Sequence, residues 1–110
     1  MDPKTFLPLT PVAFEILLAL RNGALHGYAV MQAVNEASPR RVHPGTLYRA
    51  VARLVDEGLL AEEGVESEGR RSYRITGLGR RVAAAEAARV AGQVERAQGI
   101  QKPARWPREA

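Results

Sequence analysis

Hydroxyl, phenol and guanidinium side chains are concentrated in two short stretches of this 110-residue sequence. The first stretch has helical spacing and contains Thr46, Tyr48, Arg49 and Arg53. On a helix, Thr46, Arg49 and Arg53 would share the side opposite the apolar residues, with Tyr48 on the flank. The second stretch is the adjacent pair Arg70-Arg71 in a polar run. Because such groups hydrogen-bond to base edges and phosphate oxygens, both stretches are candidates for nucleic-acid contact.

Four of these residues also have a purely structural interpretation. Tyr48 could pack at the edge of the core, and Thr46 could cap its own helix instead of contacting DNA. Arg70 and Arg71 could belong to an ordinary solvated loop. Tyr28 is a large ring on the polar side of a predicted helix, which favours phosphate contact or packing beneath DNA-facing loops over the core.

Sequence periodicity predicts three helices, a β-hairpin and a fourth helix. Thr10-Pro11 is typical of a helix start, since a hydroxyl can cap the first turn and proline suits the first helical position. Glu57-Gly58 closes the third helix. We expect helices at residues 11–21, 27–37, 44–56 and 78–98, and strands at 59–65 and 72–76.

Two of these helices carry apolar surface without an obvious burial partner in one chain. In the first helix, Phe14 and Leu18 lie away from the side that carries Ile16 and Leu17. The last helix has an apolar stripe with the alternating steps of a coiled coil, formed by Ala83, Ala87, Val90 and Val94. The sequence therefore predicts a two-fold homodimer formed by these two elements.

The charge distribution favours a polyanionic partner. The formal net charge is +4 and the pI is about 10.1. Arginines crowd residues 70–81, whereas glutamate and aspartate crowd residues 56–68. We expect this separation to leave one local surface basic.

Catalytic and metal chemistry find no support in the sequence. There is no cysteine, which excludes disulfides and cysteine-ligated zinc, and His26 and His43 lack a nearby ligand set. No Cys–His or Ser–His–acid spacing occurs, and we expect the carboxylates to lie on an exposed hairpin. We predict neither an enzyme nor a cofactor. The N-terminus does not resemble a signal peptide and no apolar run could span a bilayer, so we expect a soluble, cytoplasmic protein with no membrane partner.

Four motifs occur together in a characteristic order over roughly residues 6–80: HGYAVM at 26–31, GTLY at 45–48, LVDEGLL at 54–60 and EGRRSYRIT at 68–76. In this order the chain resembles the PadR family of transcriptional regulators, in its short form. Two positions depart from the family pattern. Arg49 stands where proline is usual, which adds a cation, and Gly77-Leu78-Gly79 replaces an acidic-Gly start of the last helix.

The resemblance implies a repressor that binds a palindromic operator in double-stranded DNA as a homodimer, and that a small-molecule effector can release. We expect an α+β winged helix-turn-helix fold with three helices and a β-hairpin wing at residues 1–77. A C-terminal dimerisation helix at 78–99 and a flexible basic tail at 100–110 would follow. A protein-interaction module that uses the same scaffold without DNA is the alternative, because fold alone does not decide function. The arginines at 49, 70 and 71 favour DNA, since an interaction module has no need of cations there.

Overall fold

The computed structural model describes residues 1–65 and 70–101, which form an α+β winged-helix domain and one long helix after it. The helices are α1 (Pro11–Ala19), α2 (Gly27–Ala37), α3 (Pro44–Asp56) and α4 (Gly77–Ala97). The strands are β1 (Leu25–His26), β2 (Leu60–Val65) and β3 (Arg71–Ile75). Short 3-10 helices lie at Pro3–Phe6 and Gln98–Gln101. The predicted fold class is confirmed; the hairpin loop at 66–69 and the tail from 102 lie outside the described residues.

The ends of the helices follow the cap signals in the sequence. Thr10 Oγ1 accepts a hydrogen bond from the Ala13 N–H at 3.1 Å, at the start of α1. At the end of α3, Gly58 has a φ of +79°, which a residue with a side chain rarely adopts. The Leu59 N–H then donates to the Leu54 carbonyl at 2.9 Å, as in a Schellman motif. This turn directs the chain from α3 into the core at the start of β2.

The three strands form one antiparallel sheet in the order β1-β3-β2. The β2–β3 hairpin was predicted, and Leu60 pairs with Ile75 at its base. Strand β1 was not predicted, because two residues carry no alternation. It pairs with β3 through Leu25 and Tyr73, and His26 Nδ1 lies 3.1 Å from the Ser72 hydroxyl. Strand β1 therefore connects the start of α2 to the β2–β3 hairpin.

The core lies between α1, α2, α3, the sheet and the first half of α4. Ile16 and Leu17 of α1, and Leu20 directly after it, are completely buried, as expected for the helix between the other elements. The predicted inner side of α3 is confirmed, since its buried residues are Leu47, Val51 and Leu54. These contacts fix the orientation of α3 and therefore decide which of its residues face outward.

The junction between β3 and α4 is unusually close. Thr76 Oγ1 accepts from the Gly79 N–H at 2.9 Å and its hydroxyl lies 2.6 Å from the Gly58 carbonyl, to which it donates. A Cβ on Gly79 would collide with the Leu59 carbonyl oxygen and lie 2.9 Å from Ile75 Cγ1. Gly79 therefore provides the space that α4 needs to start against the sheet.

An N-terminal arm, residues 1–10, packs along α4 and is held there by a buried carboxylate. Glu86 is 2% exposed and receives hydrogen bonds from Arg89 Nε at 2.7 Å and Nη2 at 2.9 Å. The backbone N–H of Leu9 also donates to it. Hydrogen bonding from Arg89 holds the pKa of the Glu86 carboxyl below its usual value, against the opposing effect of burial. Glu62 and Glu63 of the hairpin are exposed as expected, whereas the burial of Glu86 was not predicted.

Candidate nucleic-acid interface

Helix α3 presents a polar outer side on a firmly anchored backbone. Thr46, Arg49 and Arg53 are exposed on this side, opposite the buried leucines and valine. The first turn is capped by His43, whose Nδ1 accepts from the Gly45 N–H at 3.0 Å. The cap is therefore His43 rather than Thr46, and Thr46 is exposed.

The two arginines of α3 differ in their surroundings. Arg53 Nε lies 3.5 Å from Glu57 Oε2, one turn further along the helix. Arg49 folds back over the start of the helix, where a Cβ on Gly45 would lie 3.4 Å from Arg49 Nη1. Among the described residues, no carboxylate lies within ion-pair distance of Arg49. Arg49 therefore offers a guanidinium whose charge no neighbour within residues 1–65 and 70–101 neutralises.

Tyr48 flanks this side of α3, and two further tyrosines lie on β3 and α2. Tyr48 is 42% exposed, and its ring edge lies where a Cβ on Gly27 would contact it at 3.4 Å. Tyr73 contacts the same glycine position, and burial followed by the Glu62 carboxylate raises the pKa of its phenol. Tyr28, at the start of α2, is well exposed. Tyr48 thus packs by one edge at the α2–α3 junction and presents the rest of its ring outward.

The wing is more nearly neutral than the sequence suggested. Arg71 Nη1 lies 3.3 Å from Glu62 Oε1, and Arg74 Nε lies 3.2 Å from Glu63 Oε1. The expectation that segregated charge leaves a basic surface here is therefore wrong in part. Antiparallel pairing of β2 with β3 brings the acidic stretch opposite the basic one, which their separation along the chain conceals. Arg70 is exposed beside them.

The residues expected at a dimer interface fall into two groups. Phe14, Leu18 and Val90 are half-buried within one chain, and Ala83 packs against the chain's own core. Ala87 is exposed and Val94 is 52% exposed. The apolar stripe of α4 is therefore covered at Ala83, partly covered at Val90 and exposed at Ala87 and Val94.

Other types of site find no basis in the described residues. No group of three histidine or acidic side chains there could hold a metal ion. None of the helices in that part of the chain is both long and apolar enough to cross a membrane.

Comparison with known proteins identifies the family. The profile of the Transcriptional regulator PadR-like family matches residues 16–85, from the middle of α1 into α4. The chain belongs to the PadR-like family of transcriptional regulators. Members of this family are transcription regulators rather than enzymes.

Solved structures share the fold of this PadR-like chain. A transcriptional regulator from Clostridium thermocellum has a TM-score of 0.74 and 25% identity, over 83% of this chain and 90% of its own. A PadR family transcription regulator from Clostridium difficile has a TM-score of 0.72 and 21% identity, over 83% and 98% respectively. Bordetella bronchiseptica BpsR, whose DNA binding is regulated by 6-hydroxynicotinic acid, has a TM-score of 0.64 and 25% identity, over 83% and 61%.

A relative in sequence is longer than this chain. An uncharacterised 37.1 kDa protein in a Streptomyces fradiae transposon is 41% identical over 83 residues, which are 72% of this chain and 24% of the relative. The PadR-like chain thus spans about a quarter of the length of that curated relative.

Besides strand β1, sequence reasoning missed two features of this PadR-like domain. Glu86 continues the buried stripe of Leu78 and Val82, and a basic residue follows three positions later, so a paired buried carboxylate could have been suspected. A groove between the N-terminal arm and α3 left no signal, because its walls come from distant parts of the chain.

Proposed function

We propose that this PadR-like protein represses transcription by binding a palindromic operator as a two-fold homodimer, with α3 in the major groove. The observation that carries the proposal is the outer side of α3. Thr46, Arg49 and Arg53 are exposed there on a helix whose opposite side is locked into the core. The major groove of B-DNA admits an α-helix, and hydroxyl and guanidinium groups can reach base edges from it.

Specificity and affinity are assigned to different residues. Thr46, Tyr48 and Arg49 contact base edges, because they lie at the start of α3, the part of a recognition helix that reaches deepest. Phosphate contacts come from the surrounding residues, Tyr28, Arg53, Arg70 and Arg71. The ion pair of Arg71 with Glu62 does not oppose this role, since an exposed pair contributes only about 0–1 kcal/mol and can be exchanged for a phosphate.

The homodimer is formed by α1 and the apolar stripe of α4. Phe14 and Leu18 supply the apolar surface of α1, and the α4 stripe adds Ala83, Ala87, Val90 and Val94. Because Ala83 packs against its own core, we assign the closest helix–helix contact to the other three positions. The chain accordingly divides into a DNA-binding domain at 1–77, a dimerisation helix at 78–99 and a tail at 100–110.

Release of DNA by a small-molecule effector completes the proposal. The regulation of BpsR by 6-hydroxynicotinic acid in a structure of similar fold supports it. A protein-interaction module without DNA binding remains the alternative function.

The test is a binding titration on labelled duplexes from the upstream region of the protein's own gene, with a shuffled duplex as reference. We expect log affinity to fall linearly with log salt concentration, with a slope of about −0.9 for each phosphate contact. Arg49→Ala should cost about 1–3 kcal/mol on the specific duplex and far less on the shuffled one. Arg96→Ala, on an exposed position of α4, is the matched control and should bind normally. If the protein binds neither duplex at low salt, the interaction module replaces this proposal.

A further inference from the structure

A groove of about 400 Å³ runs between the N-terminal arm, the start of α1 and the flank of α3. Phe6 and Leu9 of the arm, Val12 of α1 and Ala50 of α3 supply apolar side chains to its walls. Its volume lies within the range of small-molecule sites, at the small end. The groove is therefore large enough for one ring system or a short aliphatic chain.

The charged residues of the groove are predominantly cationic. Arg49 and Arg53 both line it, and Glu57 is the acidic side chain among the described lining residues. Because Glu57 lies 3.5 Å from Arg53, it neutralises that arginine and leaves the charge of Arg49 uncompensated. An organic anion fits this lining, whereas a cation would meet Arg49 without an acidic partner.

We propose that this groove binds an amphipathic organic anion. Its carboxylate or sulfonate lies against Arg49, and its aromatic or aliphatic body packs on Phe6, Leu9 and Val12. A charge-assisted hydrogen bond to a guanidinium gives the anion its orientation, and burial of the apolar body gives most of its affinity. The binding site itself is independent of the proposed function.

The consequence for DNA rests on the proposed function. Arg49 is assigned there to base contact, and the same guanidinium cannot serve DNA and an anion in the groove at once. An occupied groove therefore lowers the affinity for the operator. The ligand acts by direct competition at α3.

The binding test measures the affinity of 2-naphthoate for the full chain, without DNA, by isothermal titration calorimetry. The neutral 2-naphthamide has nearly the same shape and controls for the apolar contribution. We expect naphthoate to bind about tenfold more tightly than naphthamide, as expected for one hydrogen bond between charged groups. Arg49→Gln, an exposed substitution that leaves the core intact, should remove this difference. Equal binding of the two compounds to the unaltered protein would overturn the proposal.

A second pair of variants locates the site. Ala50→Phe fills the groove and should abolish binding of naphthoate, whereas Ala88→Phe on an exposed position of α4 should not. Unchanged naphthoate binding by Ala50→Phe would place the ligand elsewhere and overturn the assignment. Loss of self-association in sedimentation by Ala50→Phe, without loss of naphthoate binding, would show that a second copy of the chain occupies the groove.

The two proposals fail in distinguishable ways. If naphthoate binds as described but no duplex does, the site stands and the DNA-binding proposal fails. If the duplex binds and naphthoate does not, the DNA-binding proposal stands and the groove site fails. Where both bind, naphthoate should weaken operator binding by the unaltered protein and leave operator binding by Ala50→Phe unchanged; the opposite pattern would contradict competition at α3.

Discussion

Replacing Glu86 with alanine should destabilise the protein by about 2 kcal/mol. Arg89 and the Leu9 N–H both donate hydrogen bonds to this buried carboxylate. Hydrogen bonds to charged groups contribute about 1.5–3 kcal/mol, and a buried donor left without an acceptor adds to the loss. The Arg89 side chain is 35% exposed and regains part of its own interaction from water. The sum of these effects keeps the expected loss near the lower end of that range.

The assay is equilibrium urea unfolding followed by circular dichroism, at one fixed protein concentration because self-association changes apparent stability. A loss of about 2 kcal/mol corresponds to a Tm lower by about 8 °C in a domain of this size. Glu95→Ala, an exposed carboxylate on the same helix, is the control and should change stability little. Equal unfolding free energies for Glu86→Ala and the unaltered protein would refute the structural role of this carboxylate.

The same carboxylate predicts a pH dependence. Its pKa is lower in the folded protein than its ordinary value of 4.5. A depressed acid pKa contributes stability that is fully present above the unfolded pKa and is lost as pH falls through the folded one. The stability difference between the unaltered protein and Glu86→Gln should therefore be constant near neutral pH and shrink below about pH 4.5. A difference that does not change between pH 7 and pH 3 would contradict this account.

Three further predictions test the junction, the wing and the interface. Gly79→Ala should lower stability by more than about 1 kcal/mol in urea unfolding, because its Cβ would collide with the Leu59 carbonyl; an unchanged midpoint would refute the close approach. Arg70→Ala with Arg71→Ala should weaken all duplexes alike and make the salt slope shallower by about one for each lost phosphate contact. Val90→Glu with Val94→Glu should sediment as a monomer, keep its helical signal and lose operator binding, because like charges would meet in the interface. If this double variant stays dimeric, the interface lies elsewhere. If it unfolds, this half of α4 belongs to the core of the single chain.

The helices and the hairpin were predictable because local rules decide them. The buried side of α3 follows from the spacing of Leu47, Val51 and Leu54, and the start of α1 follows from Thr10. The turn after α3 could be predicted from Gly58, because this turn needs a positive φ, which glycine adopts readily. The outer side of α3 is then the complement of the buried one, so the exposure of Thr46 and Arg49 could also be read from the sequence.

The remaining features depend on contacts between distant residues. Strand β1 has two residues and exists only because β3 pairs with it. The pairing of Glu62 with Arg71 depends on the hairpin register, and the burial of Glu86 depends on where the N-terminal arm packs. None of these has a local pattern. The groove beside Arg49 is of the same kind, because the arm and α3 meet only in the folded chain.

The separation of the two α3 helices in the assembled protein decides whether they can read DNA together. A protein that reads a palindrome with two recognition helices must place them one helical turn of DNA apart, about 34–36 Å. We expect a crystal structure of the dimer on its operator to show this separation, with Thr46 and Arg49 at base edges in successive major grooves. Two results would contradict DNA reading by α3. One is a dimer in which the two α3 helices are buried against each other, and the other is a dimer whose α3 separation does not match the spacing of two major grooves.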